Sequence, residues 1–190
     1  MAAKKNTIPA KRPRRSDPGR RDRLVDVALD VIAQDGLVRT TCRSVAAAAD
    51  VPLGSITYHF TSVDELIAEA FEKFVGQCKA RFEETMDAIR KPAPELPAAL
   101  ASIVGSYVNS RHDTILAYEL YVGAIRSPRL KEVMNHWMRH SRGLLERHMD
   151  APKARIVDAM IEGSILHNYI ENEPMSAADL EAAFRKILRN

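Results

Sequence analysis

Beyond residue 20 the chain places its apolar residues three and four apart, so that each segment presents one apolar stripe when wound as an α-helix. Leu24, Val27, Ala28, Val31 and Ile32 predict a first helix from about Arg20 to Asp35, ended by Gly36. Two short helices follow, near Cys42 to Ala48 and Pro52 to His59. Ser62 with Glu65 forms a capping-box pattern and opens a long fourth helix. Its stripe is Ile67, Phe71, Phe74, Cys78 and Phe82, and it ends near Ile89, before Lys91, Pro92 and Pro94. Leu96, Leu100, Ile103, Val104 and Tyr107 mark a fifth helix. The run from Ile115 to Ile125 marks a sixth, apolar on nearly every side and therefore expected to be buried.

Ser127 and Pro128 supply the N-cap and first residue of a seventh helix facing inward through Leu130, Val133, Met134, Trp137, Leu144 and Leu145. An eighth runs from about Pro152 to about Asn172, and Ser176 with Asp179 caps a ninth carrying Leu180, Phe184, Ile187 and Leu188. No stretch alternates as a half-buried strand does, so the expected fold class is all-α with nine helices.

Composition changes this picture at one end only. Hydrophobic residues at 46% and charged residues at 28% are ordinary for a soluble protein with a real core. The net charge of +3 is unevenly placed: residues 1–23 hold nine basic residues against Asp17 and Asp22, a local +7 that leaves −4 for the remainder. Pro9, Pro13, Pro18 and Gly19 interrupt that basic stretch, so residues 1–19 are expected to form a flexible basic arm. Such a cluster, with Arg20 and Arg21 just after it, attracts phosphates even when the whole molecule is nearly neutral. Cys42 and Cys78 lack neighbours at metal spacing and suit a reducing compartment. No apolar run is long enough for a membrane span, and no signal core follows the basic start; the expected location is the cytoplasm.

The chemistry concentrates between Thr41 and Phe60. Two short helices can cross steeply only if the residues at the crossing are small or aliphatic, as Val45, Ala46 and Ala49 are. Val51 and Ile56 complete a mini-core, and Asp50 tolerates the left-handed conformation of the turn. The second short helix can then enter a major groove. Leu53, Ser55 and Thr57 are the candidates for base edges, while Thr41, Arg43, Tyr58 and His59 are candidates for phosphate.

On Gly36, Thr40, Thr41, Arg43, Val45, Ala46, Val51, Gly54, His59, Phe60, Ser62, Glu65 and Leu66 the chain resembles the TetR family of one-component regulators. The resemblance implies a three-helix DNA-binding domain over residues 20–61, a fourth, connecting helix, and an effector-binding, dimerising domain over residues 62–190. It departs from the family at Pro52 and Leu53, where a serine and a polar residue are common, and at Thr57, where a tyrosine is common. Val63 also replaces a usual lysine. These missing phosphate anchors are expected to be offset by the basic arm.

Helices four to eight carry a lining suited to a mainly apolar ligand: Phe74, Phe82, Tyr107, Tyr118, Tyr121, Met134, Trp137, Met138 and Met160. His167 is a candidate polar partner, with Glu119, Ser141, Ser164 and Asn168. The resemblance implies a homodimer through the last two helices, for which Ile161, Ile165, Tyr169, Phe184, Ile187 and Leu188 are the candidate interface. Two-fold symmetry implies a roughly palindromic double-stranded operator with half-sites about 34–36 Å apart or a multiple of that.

His136 and His140 stand at i, i+4, but no carboxylate completes a metal site beside them. No nucleophile–base pair, paired acids or glycine-rich phosphate loop is present, so neither catalysis nor a cofactor is expected. The expected function is a repressor released from DNA by a small apolar effector. The alternatives are an effector-independent architectural DNA-binding protein and an all-α small-molecule binding protein or enzyme.

Overall fold

A computed structural model describes residues 19–189, and among them every regular element is helical. The elements are α1 Arg20–Asp35, α2 Cys42–Ala48, α3 Leu53–His59, α4 Val63–Asp87, α5 Leu96–Val108, α6 Arg111–Arg126, α7 Pro128–Leu145, α8 Ala151–Ile170 and α9 Ala177–Arg189. Of the expected basic arm, residues 1–18 lie outside the described residues. A 3-10 turn, Leu37–Arg39, joins α1 to α2 and falls outside the expected elements, since three residues are too few to show a period.

Local chemistry sets the boundaries. Gly36 adopts φ 83° and donates its N–H to Ile32 O (2.9 Å), closing α1 in a backbone conformation that a side chain would strain. Ser62 Oγ accepts the Glu65 N–H at 3.1 Å, as a capping box requires. The Glu65 carboxylate, however, reaches one residue further back and accepts from the Thr61 N–H (2.7 Å) and hydroxyl (2.6 Å), which hold its carboxyl below the usual range. Ser127 caps α7 and Ser176 caps α9 through the N–H groups of Leu130 and Asp179.

One continuous hydrophobic core runs from Leu24 to Phe184. α4 is its spine, packing on α1 near its start and on α7 further along; α6 bridges α1 and α7, and α5 lies against α8 and α9. α6 is less enclosed than its composition implies. It buries Thr114, Leu116, Leu120 and Gly123, while Val122 and Ile125 are 50% and 85% exposed because neighbours cover only part of the helix.

Polar joints tie the head of the molecule to the rest, among them His112 on α6 with Asp30 on α1 at 3.3 Å. The Arg21 guanidinium binds the Glu69 carboxylate, donates to the His59 carbonyl (2.9 Å) and lies 4.6 Å over the Phe60 ring. Lys73 on α4 pairs with Asp26 on α1. Glu119 on α6 accepts the Leu37 N–H at 3.0 Å. The Arg21 joint links α1, the end of α3 and α4 through one planar fork, a geometry that an ammonium cannot reproduce. Arg21→Ala is expected to lower unfolding stability by about 1–2 kcal/mol in urea titration, with Arg21→Lys recovering less than half of it. An unchanged midpoint in the alanine variant would show that the joint carries no stability.

Candidate nucleic-acid interface and ligand cavity

The end of the molecule formed by α2 and α3 is built as the spacing of small residues predicts. Val45 and Ala46 are buried at the crossing, Ile56 is fully buried beneath it, and Asp50 takes φ 52° in the turn. The Val51 N–H closes that turn on Ala46 O at 3.0 Å. Pro52 then occupies the N-cap of α3 in an extended conformation, so the helix starts one residue later than expected. With Ile56 and Phe60 facing inward, α3 must present its other side to solvent.

That outward side holds Leu53, Gly54, Thr57 and Tyr58, all exposed, with Ser55 and His59 half-buried at its margins. Tyr58 is 84% exposed and stands edge-on to the His59 ring at 4.9 Å. A Cβ at Gly54 would meet nothing within 4 Å, so packing does not require glycine there, and the first turn of α3 is left bare. Thr41 and Arg43 lie at the start of α2, both exposed. Thr41 also forms the N-cap: its hydroxyl accepts the Ser44 N–H (3.0 Å) and Ser44 Oγ accepts the Thr41 N–H (2.8 Å). Arg20 is half-buried at the head of α1. Arg21 is the exception among the expected phosphate contacts. Its guanidinium is engaged by Glu69, the His59 carbonyl and the Phe60 ring, which turns it toward the protein.

Behind this surface, α4 to α8 enclose a cavity of about 20 Å³. Phe74, Tyr107, Tyr121, Met134 and Trp137 line it as expected, coming from four different helices. Phe82 lies one layer away, edge-on to Trp137 (6.0 Å), and with Tyr107 lines an adjoining hollow of about 80 Å³. Tyr118 stacks on Tyr121 (6.0 Å) and donates its hydroxyl to the Glu162 carbonyl at 2.7 Å. Met138 and Met160 pack against the core outside the cavity, and His167 is exposed, 3.4 Å from Glu171. His136 Nε2 lies 3.0 Å from Lys79 Nζ in an open groove between α4 and α7.

Three further lining residues are not among those expected in the cavity: Cys78, expected as part of a helical stripe, Ile165, expected as surface for a partner, and Glu162, which no pattern singles out. The signal for Glu162 in the sequence is an acid three residues before Ile165 and one after Ile161, inside an apolar stripe. Burial pushes its carboxyl up to about 7, and the charge of Asp158 one turn earlier adds to this. The Trp137 and Tyr121 donors pull it partly back, and no basic side chain among the described residues offsets it. Asp158 itself is matched: it accepts from Ser141 Oγ (2.7 Å) and from Arg142 Nε (2.8 Å). Burial likewise pushes the Tyr107 and Tyr121 hydroxyls and the Cys78 thiol upward, keeping them neutral.

The candidate dimer residues divide. Ile161, Ile165 and Phe184 are buried within the protomer's own core and leave little surface for a partner. Tyr169 is 37% exposed, while Ile187 and Leu188 are half-buried. The outward face of α8 is instead marked by Ile156, Ala159, Gly163, His167 and Ile170, all of them exposed.

Residues 24–70 match the family described as "Bacterial regulatory proteins, tetR family", and residues 91–190 match "Tetracyclin repressor-like, C-terminal domain". Among solved structures, SCO7518 of Streptomyces coelicolor A3(2) is 40% identical, with 91% of this chain and 100% of that chain covered and a TM-score of 0.83. The multidrug binding protein EbrR, in complex with imidazole, is 33% identical over 90% of this chain and 96% of its own, with a TM-score of 0.78. The HTH-type transcriptional repressor KstR2 of Mycolicibacterium smegmatis is 27% identical over 100 residues, which is 53% of this chain and 48% of that protein. The chain thus spans about half the length of the curated relatives it matches. With both family matches together extending from the first helix to the last, and with the helix-turn-helix and nine-helix architecture in place among the described residues, the chain belongs to the TetR family of bacterial regulators.

Proposed function

We propose that the protein is a homodimeric DNA-binding repressor released from its operator by a small, largely apolar effector. The observation that carries this reading is the dual placement of α4. Glu65, Glu69 and Lys73 on its first turns hold α1 and the end of α3, and the very next residues, Phe74, Val75 and Cys78, wall the cavity. A ligand too large for about 20 Å³ must push that wall outward, and a hydrogen-bonded helix transmits the shift to the reading head. The shift changes DNA affinity only because the ligand binds the two arrangements unequally. EbrR, a multidrug binding protein, and KstR2, a transcriptional repressor, support the two halves of the reading separately.

In this reading residues 20–61 bind DNA and residues 62–190 bind the effector and dimerise. Leu53, Ser55 and Thr57 face the bases, and Thr41, Arg43, Tyr58 and His59 face the phosphates. The partner copy packs against the outward face of α8 and the end of α9, where Gly163 permits close approach and Ile156, Tyr169 and Ile170 supply apolar area. No helix among the described residues is long and apolar enough to cross a membrane. The protein acts by binding rather than by catalysis, in the cytoplasm where its DNA lies.

Three outcomes are expected. The chain shifts DNA from upstream of its own gene in a gel, and Thr57→Ala weakens that binding by about 1–2 kcal/mol in fluorescence anisotropy. Absence of any shift at low salt would end the reading. Removal of residues 1–18 weakens binding and makes the slope of log affinity against log salt shallower, by about 0.9 for each phosphate that the segment neutralises. An unchanged slope would mean that the basic segment does not touch DNA. Light scattering at micromolar concentration gives the mass of a dimer, and Ile156→Arg moves it toward the monomer.

A further inference from the structure

The cavity wall is uneven in a way that selects a ligand class. Aromatic side chains enter from four helices, as Phe74, Tyr107, Tyr121 and Trp137, and apolar groups fill the gaps between them. The single carboxylic acid among the lining residues is Glu162. Two neighbouring arginines are already matched: Arg142, beside α8, to Asp158 at 2.8 Å, and Arg81, on the adjoining hollow, to Asp113 at 2.7 Å.

Resting on the reading of this cavity as the effector site, we propose that its ligand is an organic cation with a flat apolar body, and that Glu162 is its counter-charge. A carboxylate held in a cavity wall with the neutral Trp137 and Tyr121 donors and, among the described residues, no cation is costly, and of the possible ligand charges only a positive one relieves that cost. An anion would be repelled by the ionised Glu162, whose charge no arginine among the described residues offsets. The aromatic rings add to the selection, because their negative faces attract a cation that has left water. The cavity at about 20 Å³ is closed to such a molecule, but Cys78 and Tyr107 are common to it and to the adjoining hollow of about 80 Å³. Displacing these two side chains joins the spaces, and Cys78 lies on α4, the helix whose movement the proposed release requires.

Cation binding is also coupled to protons. The groups facing Glu162 are Cys78 from α4, Tyr107 from α5, Tyr118 and Tyr121 from α6, Trp137 from α7 and Asp158 from its own helix. Burial keeps the thiol and the phenols neutral, and Asp158 is paired with Arg142. Glu162 therefore titrates near neutrality in the empty cavity, and a cation holds it ionised. Affinity is expected to be full above pH of about 7 and to fall by up to about tenfold per unit below it.

The test uses the full chain, the N-methylquinolinium cation and its uncharged counterpart quinoline, at about pH 8. Binding is read by calorimetry and by saturable change in the emission of Trp137, the single tryptophan and a cavity-wall residue. The expected result is that the cation binds, that Glu162→Gln weakens it by about tenfold or more, and that quinoline binds both proteins alike. Glu162→Asp, which keeps the charge, retains the preference for the cation, and lowering the pH toward about 6 weakens the wild type but not Glu162→Gln. Equal cation affinity in wild type and Glu162→Gln, or no saturable cation binding, overturns the assignment. The reading on which it rests fails separately: a cation held by Glu162 that leaves operator affinity unchanged identifies the ligand class and removes the release mechanism.

Discussion

The longest link between the two ends of the described chain is α4, and it works only as a single uninterrupted helix. Its 25 residues span about 37 Å, and they are anchored at both ends of the path that matters. Leu66, Ala70, Phe71 and Phe74 are almost wholly buried, so the helix cannot slide without repacking its neighbours. The polar joints to Arg21 and Asp26 would give the proposed motion a direction, since they couple α4 to α1 rather than merely to bulk core. α6 supplies a second, shorter connection. Glu119 holds the Leu37 N–H beside the reading head, and the adjacent Leu120 and Tyr121 line the cavity. Two helices with opposite duties at neighbouring residues make the cavity and the reading head parts of one mechanical unit.

The electrostatic design follows the same economy of position. Asp158 and Glu162 lie one turn apart on α8, and the protein neutralises only one of them. Asp158 has a guanidinium and a hydroxyl in place, a buried pair complete enough to tolerate its desolvation. Glu162 has the Trp137 and Tyr121 donors and, among the described residues, no cation. A glutamine at that position would fold at lower cost, so the acid makes physical sense as a group whose partner arrives from outside.

Helix number, the cap residues Ser62, Ser127 and Ser176, and the left-handed turn at Asp50 are legible in the sequence because each rests on chemistry within a few residues. What periodicity cannot show is which of two apolar faces turns inward. On α8 it offers Ile161 and Ile165 as surface for a partner, yet both belong to the core, and the outward face is the stripe of Ile156, Gly163 and Ile170. On α6 the dense apolar run implies full burial, but Val122 and Ile125 lie on a side that the described helices leave open. Arg21 and Glu162 escape the pattern for a related reason. A charged residue in a helical pattern is normally solvated, and only the tertiary contacts reveal that one is a joint and the other a cavity wall.

The turning of Arg21 toward Glu69 also bears on how release can work. Pro52, Leu53, Thr57 and Val63 already make the reading head poor in groups that grip phosphate, and Arg21 is withdrawn as well. In the proposed reading, charge then falls mainly to the basic segment before α1, and α3 contributes through the fit of two copies at a fixed separation. Coupling energies between ligand and DNA sites are typically about 1–3 kcal/mol, a small fraction of a binding energy built on many phosphate contacts. Where the electrostatic grip is weak, the same coupling is a larger share of the total. The scarcity of phosphate anchors near α3 and the engagement of Arg21 in the joint to α4 therefore both suit the proposed release, in which a shift of α4 alters the separation of the two α3 helices.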